Sequence, residues 1–297
     1  MGKAERIRRM NARERIIAQQ AAARRAEARK RMYLATGSVL GVLAIVLAFV
    51  IAKNLTGNPA SAVTNSGSQA QAAAISRQLQ TVPASTLDSV GAGTAAKLQS
   101  TTGQTVLKSG GKPEILYMGA EYCPYCAAER WAMVVALSRF GSFSHLSYTH
   151  SDTTDVYPNT PTLTFYKSSY TSKYVDFTPV ELYDGSDKAL MKPTSAQTAL
   201  MAKFDAPPYI DSADAGSYPF LDIGNQYLVL GAQFTPQALA KLSWAEVAAD
   251  VRNPDSAVAK DIDGAANSIT AAICKVATNA PASVCHSTAV TASAGSL

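Results

Sequence analysis

Residues 114–131, EILYMGAEYCPYCAAERW, decide the fold. Glu114–Met118 is a short apolar run suited to a strand. A turn follows, and from Pro124 a helical stretch extends to Phe140, with Gly141 as a stop. Its apolar residues (Trp131, Met133, Val134, Val135, Leu137, Phe140) fall on several faces, as in a helix packed on more than one side. Two cysteines, Cys123 and Cys126, flank Pro124 and Tyr125 at the point where strand gives way to helix. With Cys123 as N-cap, Pro124 takes the first helical position, where its missing N–H costs nothing. The Cys123 sulfur then faces the free N–H groups of Tyr125 and Cys126, which favour thiolate over thiol. Cys126 lies one turn on, within bonding reach.

That spacing fits an attacking thiolate with a resolving partner. Three other roles stay open. Zinc needs four ligands, and there is no second CxxC or HxxxH; His145, His150 and His286 are scattered. A purely structural Cys123–Cys126 bridge closes a very small loop and stabilises little. A redox-type domain can also serve only in binding or assembly. Glu121, Glu129 and Arg130 are candidates for tuning the pair: Arg130 favours thiolate, the carboxylates oppose it, and either acid can shuttle a proton. Ordinary surface charges or a helix-surface ion pair are the plainer reading of them. Trp131 fits a core position better than a substrate contact.

The 297-residue chain is 47% hydrophobic and carries a net charge of +5. Residues 1–31 hold eleven Lys and Arg against three Glu, a net +8, which leaves −3 for the remainder. The basic tail, 1–32, has almost no aromatics and no binding motif, so nucleic acid is not an expected partner. Residues 33–52, YLATGSVLGVLAIVLAFVIA, are uncharged and long enough to span about 30 Å of hydrocarbon. The excess of basic residues before this block predicts a single uncleaved transmembrane helix with the N-terminus in the cytoplasm. The expected location is thus the cell membrane, with lipid-bilayer contact and an extracytoplasmic C-terminal domain. Residues 53–74 read as a flexible linker, and 75–290 as the domain.

Within it, Ile75–Gln80 is a short helix, and 83–112, rich in Ser, Thr and Gly, wraps the surface. His145–Thr149 can form the next strand, giving a βαβ unit with parallel strands. Pro161–Lys167 and Lys173–Tyr183 are extended segments that could pair as a hairpin. Thr194–Phe204 reads as a capped helix. Phe220–Ile223, a Gly224–Asn225 turn and Tyr227–Leu230 give a hairpin. A helix starts near Thr235–Pro236, and another covers Ala257–Lys275. Cys274 and Cys285 flank a short tail; local pairing into a structural disulfide is the simplest expectation in an oxidising compartment, with a relay to Cys123–Cys126 the alternative.

Strand, Cys-Pro-Tyr-Cys and helix together resemble the thioredoxin superfamily. The wider stretch GAEYCPYCAAERWAMVVALSRFGSF, with PFLDIGN downstream, resembles an uncharacterised membrane-protein family, domain-of-unknown-function family 929, over most of 75–290. The resemblance implies an α/β fold: a thioredoxin-like mixed sheet flanked by helices, with an inserted segment at 150–217, preceded by the single transmembrane helix. It also implies a cis-proline beside the cysteine pair. Thr160-Pro161-Thr162 has the more familiar local sequence; Tyr218-Pro219-Phe220 has the better context, and Pro219 is chosen.

The expected function is a membrane-anchored extracytoplasmic thiol–disulfide oxidoreductase acting on protein thiols or disulfides, with Cys123 as nucleophile, Cys126 as resolving thiol and Pro219 shaping the groove. A membrane redox partner would fit, and no cofactor or metal is implied. The alternative is a non-catalytic thioredoxin-like domain that binds or assembles a membrane partner. Oxidase, reductase and isomerase share the motif.

Overall fold

In the computed structural model, residues 65–297 apart from Thr102 are described. In chain order they form α1 (Asn65–Gln80), α2 (Ala84–Val90), β1 (Gln99–Ser100), β2 (Lys108–Ser109), β3 (Lys112–Gly119), α3 (Pro124–Ser138), β4 (Gly141–Ser144), β5 (Ser147–His150), β6 (Pro161–Thr164), β7 (Ser169–Ser172), β8 (Asp176–Glu181), α4 (Ser195–Phe204), β9 (Phe220–Ile223), β10 (Tyr227–Leu230), a 3-10 turn (Pro236–Leu239), α5 (Trp244–Asp250), α6 (Ala257–Val276), α7 (Ala282–Cys285) and α8 (Thr288–Ala294).

The run Ile115–Met118 is wholly buried because β3 is central in a mixed sheet covered on both faces. The sheet order is β1-β10-β9-β3, with β8 on the other side of β3 and β2 pairing with its start. Strand β8 runs parallel to β3, Glu114 opposite Asp176 and Gly119 opposite Glu181. Strand β9 runs antiparallel, Ile115 opposite Ile223 and Met118 opposite Phe220. Alternation then sorts the side chains by face. Ile115, Tyr117, Leu221 and Ile223 join the large core with residues of α3 and α6. Leu116, Met118, Val180 and Phe220 pack with Phe204 of α4.

The expected strand near His145–Thr149 does form, as β5, but it pairs antiparallel with β6 outside the main sheet. The parallel partner of β3 is β8 instead. Segments 161–167 and 173–183 do not pair with each other: β6 joins β5, β7 joins β4, and β8 joins β3. The cause is α3, whose side chains from Cys126 to Leu137 are all buried. Such a helix needs cover on the side away from the sheet, and residues of the β4–β7 layer, Phe143, Leu163 and Phe165, share its core. Trp131 Nε1 donates to Pro161 O at 2.8 Å, and Thr162 Oγ1 donates to Ala127 O at 2.9 Å. The layer therefore precedes the parallel strand, earlier than the insertion expected at 150–217.

Two local signals elsewhere hold. Thr194 caps α4 in a reciprocal capping box with Gln197. The β9–β10 hairpin turns at Gly224 and Asn225, both at positive φ (63° and 56°). The stretch after Thr235–Pro236 is a single 3-10 turn rather than an α-helix. The first helix begins at Asn65, ahead of the expected Ile75, and α2, β1 and β2 lie within 83–112.

The preceding transmembrane helix needs correction. No helix among the described residues is long and apolar enough to cross a membrane. The longest of them, α6, carries Lys260, Asp261, Asp263 and Lys275, charges that a hydrocarbon core would not accept. The span expected at 33–52, like the tail at 1–32 and most of the linker, lies outside the described residues. The single-pass topology, the cell-membrane location with an extracytoplasmic domain, the lipid-bilayer contact and the membrane redox partner all rested on that span, and none is carried forward. The supported fold class is a mixed sheet flanked by helices, consistent with a thioredoxin-like arrangement.

Candidate functional site

Strand β3 ends at Gly119, and α3 starts five residues later, so Cys123 sits at the C-terminal edge of the two parallel strands. Cys123 is the N-cap of α3, with extended backbone (φ −76°, ψ 121°), and Pro124 is the first helical residue. The Cys126 N–H donates to Cys123 Sγ at 3.3 Å. Both cysteines are unbridged and buried, Cys123 8% exposed and Cys126 not at all. Tyr122, Tyr183 and Tyr218 pack around them, while Tyr125 stands out at 40% exposure.

The two thiols differ sharply. Cys123 is lowered to about 7: the Cys126 thiol hydrogen-bonds its sulfur, and the N–H groups of Cys126 and Tyr125 and the Arg130 charge add to this, outweighing burial. Cys126 is pushed well above the ordinary thiol range by burial and by donating to Cys123. Cys123 is therefore the first of the two to ionise, and Cys126 keeps its proton.

Pro219 follows Tyr218, which packs against the pair. The Tyr218–Pro219 peptide is cis, with Pro207–Pro208 and Ala280–Pro281 the other cis bonds among the described residues. The Cys123 thiol donates to Tyr218 O at 3.7 Å. Pro161 opens β6, where its carbonyl holds Trp131.

Arg130 and Glu129 are not surface charges; both are fully buried. The Arg130 guanidinium reaches Glu181 through Nε (3.0 Å) and a terminal nitrogen (2.7 Å), and also donates to Ala120 O at 2.8 Å. Burial works against its charge, but Glu181 prevails and holds Arg130 protonated above its ordinary range. Its guanidinium lies 5.7 Å from the Tyr117 ring centroid. Tyr117 Oη is buried without a hydrogen-bond partner, and burial pushes its pKa well up. A Cβ at Gly119 would meet Tyr117 Oη at 2.1 Å and Cys126 Sγ at 3.1 Å, so this position accepts only glycine. Glu129 is raised to about 7 by burial, against the pull of the Gln233 N–H, which reaches its carboxylate at 2.9 Å. That contact directs Glu129 toward the 233 segment. Glu121 accepts from Thr164 Oγ1 at 2.5 Å. Tyr117 and Glu181 were missed in the sequence. The signal available was an acid between two apolar residues, Val180-Glu181-Leu182.

Cys274 and Cys285 are joined by a disulfide, Cα to Cα 5.5 Å, tying the end of α6 to α7. Among the described residues no group of three His, Cys, Asp or Glu side chains is placed to share a metal ion.

Residues 100–197 match the family model described as Domain of unknown function (DUF929). The match takes in the cysteine pair and β8, and is narrower than the 75–290 implied by the resemblance. No curated protein and no solved structure matches the chain.

Proposed function

We propose that the chain carries out thiol–disulfide exchange on protein clients through a thioredoxin-like site, with Cys123 as nucleophile, Cys126 as resolving thiol and Pro219 shaping the wall beside them. The observation that carries this reading is the unequal pair at the helix start: a Cys123 sulfur receiving the Cys126 N–H, lowered to about 7, above a Cys126 held as thiol.

In the reducing direction the Cys123 thiolate attacks one sulfur of a client disulfide. A Cys123–client disulfide forms, and the second client sulfur leaves as thiolate and takes a proton from solvent. Cys126 then loses its proton, attacks Cys123 Sγ and expels the first client sulfur. The pair is oxidised by two electrons and the client reduced by two. The reverse sequence oxidises a client dithiol. Burial of Cys126 favours the order, because Cys123 is the first of the two to ionise.

The test uses the full chain with Cys126→Ala and Cys123→Ser. With Cys126→Ala, mixed disulfides with client proteins accumulate and are released by dithiothreitol; with Cys123→Ser they are absent. Equal yields from the two variants, or none from either, would sink the proposal.

A further inference from the structure

A groove of about 790 Å³ opens next to the cysteine pair, between the end of β3, the segment after β8, α4 and the turn before Pro219. Its walls include Met118, Leu182, Tyr183, Met201 and Tyr218. Tyr183 and Tyr218 also pack against the cysteines, so groove and pair share a wall. One buried lining residue does not fit an apolar slot. Asp205 is only 3% exposed, and neither of its carboxylate oxygens completes a hydrogen bond.

We propose that this groove seats a Lys or Arg side chain of the client polypeptide, with its aliphatic stem on Met118, Leu182 and Met201 and its charged head on Asp205. This rests on the thiol-exchange reading for the word client, and it names the class of client. A long side chain with an apolar stem and a cationic tip matches a slot that is apolar along its walls and acidic at a buried point. A buried carboxylate without partners is costly, and a charge-assisted hydrogen bond removes that cost. Burial pushes Asp205 up to about 6, with the Gly216 and Ser217 N–H groups near enough to pull it down but not to complete a hydrogen bond, so at neutral pH the group is mostly ionised and available. Asp187 adds negative charge nearby, acting on both Tyr122 and Tyr218. The cation of the lining, Lys192, is exposed, whereas Asp205 is buried.

The test uses the full chain and two fluorescent, cysteine-free peptides that differ only in Arg or citrulline beside a Ser in place of the client cysteine. The wild type binds the Arg peptide about tenfold tighter or more, the span of one charge-assisted hydrogen bond. Asp205→Asn closes that gap. Ala202→Trp, at an exposed position of α4 on the groove lining, weakens the Arg peptide without touching the core, and carries the test if Asp205→Asn does not fold. Equal binding of both peptides by the wild type, or an undiminished gap in either variant, overturns the proposal. Reaction of the wild-type pair with dithiodipyridine is read in parallel. If it proceeds while the peptides bind equally, the groove assignment falls alone; if it does not proceed, the exchange chemistry falls.

Discussion

Arg130→Met removes the guanidinium but keeps most of the stem. Glu181 then loses both hydrogen bonds from Arg130 and keeps only the Phe165 N–H at 3.1 Å, while Ala120 O loses its side-chain donor and keeps the Cys123 N–H at 3.3 Å. Both partners are fully buried, so the substitution leaves an uncompensated carboxylate in the core. Breaking a buried pair on one side costs about 3–5 kcal/mol, a large part of the roughly 5–15 kcal/mol that holds a typical domain. Adding Glu181→Leu removes the stranded charge as well, and apolar replacement of a whole buried pair is often neutral. The double variant is therefore expected within about 2 kcal/mol of wild type, far from additive.

Urea unfolding of the wild type, Arg130→Met, Glu181→Leu and the double variant in one buffer measures this. A second readout separates structure from chemistry. Arg130 lowers Cys123 and Cys126 by its charge, and the double variant restores packing but not that charge. Thiolate absorbance at 240 nm against pH should show Cys123 titrating higher in Arg130→Met and in the double variant alike, even though only the double recovers stability. An Arg130→Met cost below about 1 kcal/mol, or additive losses in the double, would refute the reasoning from burial.

Further outcomes follow from the same geometry. Cys126→Ala deletes the hydrogen bond that does most to lower Cys123, so the alkylation midpoint of Cys123 should rise from about 7 toward the ordinary thiol range; an unchanged or lower midpoint contradicts the assignment. Asp263 in α6 is buried with neither oxygen bonded, and burial pushes it up to about 8, against the pull of Arg139. A carboxyl raised in this way contributes stability that is full at acid pH and lost as pH rises through about 8. Asp263→Asn should therefore gain on the wild type in thermal melts as pH goes from 5 to 9, and a flat difference would count against it. Replacing Cys274 and Cys285 with Ala frees a loop of this size and should cost about 3 kcal/mol, read from denaturant midpoints; no loss would mean the tail is held by packing alone.

How much of this was legible in the sequence depended on range. The β3–α3 junction was readable because everything that makes it is local: an apolar run, a proline at the first helical position and a cysteine that can cap. The β9–β10 hairpin was readable because Gly224 and Asn225 are the residue types that accept positive φ. The partner of β3 was not, because parallel pairing carries no local mark. His145–Thr149 is as good a strand as Asp176–Glu181, and only the need to cover the outer side of α3 sends it elsewhere.

The buried pair follows the same logic. Glu129 and Arg130 sit between Ala127-Ala128 and Trp131-Ala132-Met133, a run too apolar for an exposed helix face, and Glu181 lies between Val180 and Leu182. A cation in one apolar run and an acid in another satisfy each other only if the two runs meet in register. Gly119 lies opposite Glu181; a slip of one residue would turn Glu181 to the other face of the sheet, where Leu116, Met118 and Phe204 offer no donor. The ion pair thus selects the β3–β8 register, and that register puts Arg130 close enough to lower both thiols. The strand pairing that the sequence hid and the cysteine asymmetry that it showed are consequences of the same contact.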